Sequence, residues 1–342
     1  MKTKIKVMRH LRVIIFITAI VSFTASSEAQ KLTKAERRAK LDSMLAARYY
    51  RTPYDTNYVI RPEGKLTLKA RVNQSGNSYY AEGDLYGTKA EADLSTDNKT
   101  TLSLSVSYRG LSLGVAINPE KLSGAYKDYE LNVNYFSSRL SLDLSYQRSE
   151  SLSGDITVGD QTAHMEAGLI RMSIVNATAY YIFNHRRFSY PAAFTQSYIQ
   201  RRSAGSWLAG ISYQGGSLKT TDEMLRKYSD VADTRVYVGH VGIGGGYGYN
   251  LVLGKKWLFH LSALPSFVVY NRNNMEVNGV RQDAAHVRFN MLFNERAAIV
   301  HNFSSTYFAG ATLVMNNSLF KDDEVTTNQN KWRVRAFFGI RL

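Results

Sequence analysis

From Lys65 to the C terminus, apolar and polar residues alternate with a period of two. Leu102, Leu104, Val106 and Tyr108 alternate with Ser103, Ser105, Ser107 and Arg109. Leu111, Leu113, Val115 and Ile117 follow across a tight Arg109-Gly110 turn. Tyr129, Leu131, Val133 and Tyr135 alternate with Glu130, Asn132 and Asn134, and Leu140, Leu142, Leu144 and Tyr146 with Ser141, Asp143 and Ser145. Successive side chains of a strand point to opposite faces, so this pattern predicts strands with one apolar and one polar face. A strand standing between lipid and a polar lumen needs that arrangement. The fold class read from the pattern is all-β: a transmembrane, antiparallel, up-and-down β-barrel.

Later strands are less regular. Ile170, Met172 and Ile174 share one parity, whereas Ala177, Ala179, Tyr181 and Phe183 share the other, which predicts a bulge. Gly242, Gly244, Gly246 and Gly248 share one face and predict lumen space or a sharp bend. Pro265 predicts a distortion. Short turns are expected at 109–110, 137–139, 184–187, 254–256 and 303–306, and long polar loops at 118–128, 149–164, 215–234, 271–284 and 317–330. Barrels of this kind have short periplasmic turns and long external loops, so the alternation predicts an orientation. Tyr108, Tyr135, Tyr146, Tyr181, Tyr213, Tyr249 and Tyr307 fall near strand ends, where amphipathic rings suit an interface. Thirteen strand candidates emerge, but single-chain bacterial barrels have even numbers. If 65–95 is one interrupted staircase the count is twelve, the number expected; if 284–302 splits at Asn294-Glu295 it is fourteen.

In the final segment Trp332, Val334, Ala336, Phe338, Ile340 and Leu342 share one face, and Arg333, Arg335, Phe337, Gly339 and Arg341 the other. It resembles the C-terminal strand read by barrel-assembly machinery, with Leu342 replacing the usual terminal aromatic. Residues 30–64 are expected to be a short periplasmic helix and a lead-in. Thr33 and Glu36 have capping-box spacing, and Leu41, Leu45 and Tyr49 make one stripe. Before them lie a basic stretch (Lys2, Lys4, Lys6, Arg9, Arg12), an apolar run at 13–24 and small residues at Ser27 and Ala29. This predicts a signal peptide over 1–29, leaving a barrel over 65–342.

Composition sharpens the picture. A mean hydropathy of -0.28 does not fit a bundle of membrane helices but suits alternating strands. There is no cysteine, hence no disulfide and no lipid anchor on one. The net charge is +15, about +11 once residues 1–29 are removed. On an exported chain this points to anionic lipopolysaccharide, outer-membrane lipids or an anionic solute rather than nucleic acid. Oligomeric state is not legible.

The stretches RRFSYPAAFTQSYIQRRSAGSWLAGISY (186–213), SYRGLSLGVAINP (107–119) and TYFAGATLVMNN (306–317) resemble an uncharacterised family, domain of unknown function 4421 of Bacteroidetes outer membranes. The resemblance covers about 50–342. It implies a barrel fold and an outer-membrane location, and brings no activity, cofactor or catalytic residue.

No HExxH motif is present, and no two histidines have the i, i+4 spacing that would bind zinc on a helix. No cofactor is expected. His301 beside Ser304 and Ser305 is the only local pair for a lipid- or lipopolysaccharide-modifying enzyme. The stronger lead is the lumen. Inward parity places His286, Arg288 and Arg296 on one strand, Arg333 and Arg335 on the last, and Glu130 and Asp143 on earlier ones. Such side chains can pair across a small barrel as structural filling. The functional reading is a constriction or a site for an anion, since guanidinium forks suit carboxylate and phosphate. The expected role is therefore a narrow channel or solute-binding barrel. A structural or assembly role through loops 149–164 and 215–234 is the third reading.

Overall fold

The structure is a computed structural model that describes residues 33–50, 52–85, 87–108, 111–118, 128–228, 231–283, 289–321 and 325–342. The predicted signal peptide lies outside them. The chain divides into two units, residues 1–51 and 52–342.

In the first, helix α1 (Lys34–Tyr50) starts at the expected capping box. The Thr33 amide donates to Glu36 Oε2 at 2.7 Å and the Glu36 amide to Thr33 Oγ1 at 3.3 Å. Leu41 on the predicted stripe is exposed.

The second unit is an antiparallel sheet that curls back on itself. Its long strands are β1 (Leu66–Leu85), β2 (Lys99–Tyr108), β3 (Leu111–Ile117), β4 (Tyr129–Phe136), β5 (Leu140–Ser149) and β6 (Ile170–Ile182). They continue as β7 (Ala204–Thr220), β8 (Thr234–Leu253), β9 (Trp257–Asn271), β10 (Phe289–Asn302), β11 (Tyr307–Lys321) and β12 (Val325–Arg341). Each strand from β4 to β12 pairs with the next. The last strand pairs with the first, from Arg341↔Thr67 to Val325↔Gly83, and β1 continues the sheet through β2 to β3. Leu342 closes this seam: its amide donates to Leu66 O at 2.7 Å and its carbonyl accepts from the Leu66 amide at 2.9 Å.

Several expectations need correction. Residues 284–302 do not split: β10 runs through Asn294-Glu295. The 65–95 region is one long strand plus Thr88–Ser95, which folds back onto the far half of β1. Segment 317–330 is mostly β11 and β12 rather than loop. Loops 149–164 and 271–284 carry hairpins, Ser153–Val158 with Gln161–Met165 and Asn274–Val277 with Val280–Asp283. No bulge interrupts β6, whose register is continuous with both neighbours. Met172, Ile174, Tyr180 and Ile182 all face inward and are buried. The apolar residues change parity because they meet an apolar interior at the long-loop end. The register shift lies instead at Val241/Gly242.

The two faces divide as the alternation requires. Leu104 and Leu261 are each 69% exposed on the outside. Ser141, Asp143, Ser145, Gln147 and Ser149 of β5 are buried on the inside. Among the described residues no helix is long and apolar enough to cross a membrane; the apolar surface belongs to strands.

Candidate functional site: a filled lumen

The largest departure from expectation is the connection from β6 to β7. Residues 184–187 do not make a short turn into the next strand. The chain instead folds inward over 183–203. Ser189 caps helix α2 (Tyr190–Phe194), its Oγ accepting from the Ala192 amide at 3.2 Å, with Pro191 in the first turn where its missing N–H costs nothing. Phe188, Tyr190 and Phe194 are buried among inward residues of the strands. The Phe194 ring lies 5.5 Å from Phe136 of β4 and 5.0 Å from His260 of β9; Tyr190 lies 5.2 Å from Tyr180 of β6. The expected space beside the β8 glycines is taken up here: a Cβ on Gly248 would sit 2.9 Å from the Phe188 ring.

Polar groups fasten this plug to the wall. Lys69 of β1 donates to Thr195 O and to Gln196 Oε1, both at 2.7 Å. Asn250 of β8 donates to Ser189 O at 3.0 Å and its Oδ1 accepts from His260 Nδ1 at 2.7 Å. The lead-in covers it from below: Val59–Ile60 pairs with Ile199–Gln200, and the Asp55 amide donates to Arg186 O at 2.8 Å.

Charges fill the next level. Arg296 of β10 reaches across the lumen to Asp143 of β5 in a buried ion pair. Its other amino group, Nη1, is buried without a hydrogen-bond partner among the described residues. The guanidinium lies 5.6 Å from Tyr180 and 5.8 Å from Phe194, so it also joins the charged level to the plug. Glu130 of β4 accepts from Ser75 and Asn132, each at 3.0 Å, and pairs with Lys331 of β12 at 3.6 Å. Arg335 donates to Asn73 at 2.6 Å and Arg71 to Ser105 at 2.6 Å.

Above the charges, Gln214, Gln329, Asn77, Tyr79 and Gln147 form a hydrogen-bonded layer across the barrel. An apolar cluster of Leu152, Met165 and Leu169 follows at the long-loop end. Asp128 clamps that end: it accepts from Ser149 at 2.6 Å, Ser151 at 2.7 Å and the Glu150 amide at 2.8 Å, with the Lys99 ammonium at 3.3 Å.

Of the residues singled out from sequence, Arg296, Arg333, Arg335, Glu130 and Asp143 lie on inward-facing register positions. Arg296 and Asp143 meet. Glu130 meets Lys331, which the reading passed over in favour of arginines. His286 and Arg288 lie outside the described residues. His301 is taken up by rings, 4.1 Å from Trp257 and 4.4 Å from Phe303, while Ser304 Oγ accepts from the amides of Thr306 and Tyr307. Lys69, Arg71 and the plug were missed. A Ser-Tyr-Pro cap followed by apolar residues, where alternation lapses, was the signal for the plug.

The family model described as Domain of unknown function (DUF4421) matches residues 53–341. The chain belongs to that family. No curated protein matches it. Among solved structures it is similar to the outer membrane protease OmpT of Escherichia coli, at 8% identity and a TM-score of 0.39, covering 86% of this chain and 100% of that one. It is also similar to the outer membrane protein OprG of Pseudomonas aeruginosa, at 13% identity and a TM-score of 0.26, covering 82% and 97%. A third is the translocator domain of the autotransporter NalP of Neisseria meningitidis, at 6% identity and a TM-score of 0.29, covering 90% and 96%. On its own architecture, a curled antiparallel sheet with an apolar outside and a polar, charged inside, this family member is an outer-membrane β-barrel protein.

Proposed function

We propose that the chain forms a closed twelve-stranded barrel, with its short turns toward the periplasm and its lumen sealed. In this reading it binds a small anionic solute in a cation-rich interior and is not an open pore. The pairing of the last strand with the first, and of each strand from β4 to β12 with the next, supports this reading. The observation that carries the solute reading is an imbalance of charge. Lys69, Arg71, Arg296, Lys331, Arg333 and Arg335 stand on the inner face, against the carboxylates of Asp143 and Glu130. Buried cations without counter-charge are costly, so an anion entering near Arg71 and Arg335 would be stabilised there.

Calorimetric titration with inorganic phosphate and with a dicarboxylate tests the reading. Binding of either, weakened by Arg71→Gln with Arg335→Gln, is the expected result. A protein that binds neither anion would overturn it, and the same lumen would then be structural filling.

A further inference from the structure

The outer wall is charged unevenly at the long-loop end. Cross-strand register lines up Arg171, Lys219, Arg235, Glu276 and Arg281, each directly opposite the next across five strands. These positions face outward: Met172 and Thr220, one residue along from Arg171 and Lys219, are the buried lumen-side neighbours. Four of the five are cations; Arg171 pairs with Glu150 at 2.6 Å, which leaves Lys219, Arg235 and Arg281 around Glu276. Just beside the row is a groove of about 630 Å³ lined by Tyr213, Tyr237, Tyr270, Arg272, Glu276 and Arg281. Arg235 donates to the Tyr237 hydroxyl at 2.9 Å, and Arg281 to Asn274 at 2.7 Å, so both guanidinium groups are held at the groove. Farther down the same wall, Ile211, Ile243 and Phe267 are more than half exposed.

This positive face is local and does not merely express the net charge. At the flap built on β1, Glu82 stands opposite Glu91, and Asp93 opposite Asp155.

We infer that the β6–β9 face binds the phosphorylated head group of a lipid in the adjacent leaflet. Guanidinium and ammonium groups take the phosphate, the tyrosines sit at the head–tail boundary, and the acyl chains lie on the apolar wall below. Continuity from cations through tyrosines to exposed aliphatic residues selects a lipid over a free anion. The inference uses the membrane orientation proposed above but none of the lumen residues.

The test is native mass spectrometry of the whole protein in detergent with bisphosphorylated lipid A as the probe. The wild type should retain lipid A better than its dephosphorylated form. A triple variant, Lys219→Gln, Arg235→Gln and Arg281→Gln, should lose retention about tenfold, equivalent to about 1.4 kcal/mol. Glu82→Gln with Glu91→Gln should leave it unchanged. Should the triple variant fail to fold, Arg272→Gln alone should give a smaller loss in the same direction. Equal retention by wild type and variants, indifference to the phosphates, or full displacement by millimolar inorganic phosphate would each overturn the inference. Insertion into liposomes separates this from the underlying reading: a chain that does not insert contradicts the membrane orientation, whereas one that inserts but treats both lipids alike contradicts only the lipid site.

Discussion

Two levels of one lumen are filled by opposite chemistry. At the short-turn end Phe188, Tyr190 and Phe194 pack as rings among wall residues. One level up, Asp143, Arg296, Glu130 and Lys331 fill the same cross-section with charge. The rings gain free energy by leaving water, in proportion to the apolar area removed. The ion pairs give up hydration and recover it from each other, so little net stability is left to them. Arg296 belongs to both levels, one edge on Asp143 and its face near the rings of Tyr180 and Phe194.

That contrast can be broken from either side. The largest loss is expected at the plug. Phe188→Ala should destabilise the barrel by about 3–5 kcal/mol, read as denaturant unfolding in liposomes. Leu261→Ala, on the outer wall, should cost less, because lipid fills the space it leaves and only the transfer of its methyl groups out of water is lost. Equal losses would show that the plug closes over the missing ring without a cavity.

The charged level should respond differently to one change and to two. Asp143→Ala leaves Arg296 buried and unpaired and should also cost about 3–5 kcal/mol. Adding Arg296→Met should restore most of that loss. If the double variant were as unstable as the single one, the pair would be contributing net stability and the contrast with the plug would weaken.

A smaller effect is expected from the clamp at the long-loop end. Burial pushes the Asp128 carboxyl up, but Ser149, the Lys99 ammonium, Ser151 and the Glu150 amide together outweigh it and hold it below the usual carboxylate range. Its folded-state pKa is thus depressed. The stability it contributes is fully present above the ordinary carboxylate pKa and is lost as pH falls through the depressed value. Thermal unfolding should therefore weaken toward acid, and Asp128→Asn should flatten that acid limb at a cost of about 1–3 kcal/mol. An unchanged acid limb would place the pH dependence elsewhere.

Much of the wall was legible because a half-buried strand advertises its two faces with a period of two. Residues 129–136 and 140–145 alternate in the sequence and alternate in burial. That rule assumes a polar lumen, and it misled where the lumen is apolar. Met172 and Ile174 point inward and are buried, Met172 against the Tyr79 hydroxyl, so their parity suggested a bulge that the register does not contain. The plug was obscure for a different reason. Nothing local distinguishes an apolar connection that folds into a barrel from one that begins the next strand; the difference lies in contacts from Lys69, Asn250 and His260, far away in sequence. Single-residue parity found Arg296 and Asp143, but their pairing depends on which strands face across the lumen.

The sealed lumen is tested most directly by conductance in planar bilayers. The wild-type barrel should be silent. A variant in which residues 187–201 are replaced by a short glycine-serine turn should stay silent as well, because the Asp143–Arg296 pair, the layer around Gln214 and Gln329 and the Leu152 cluster still fill the lumen. A conducting wild type would contradict the account.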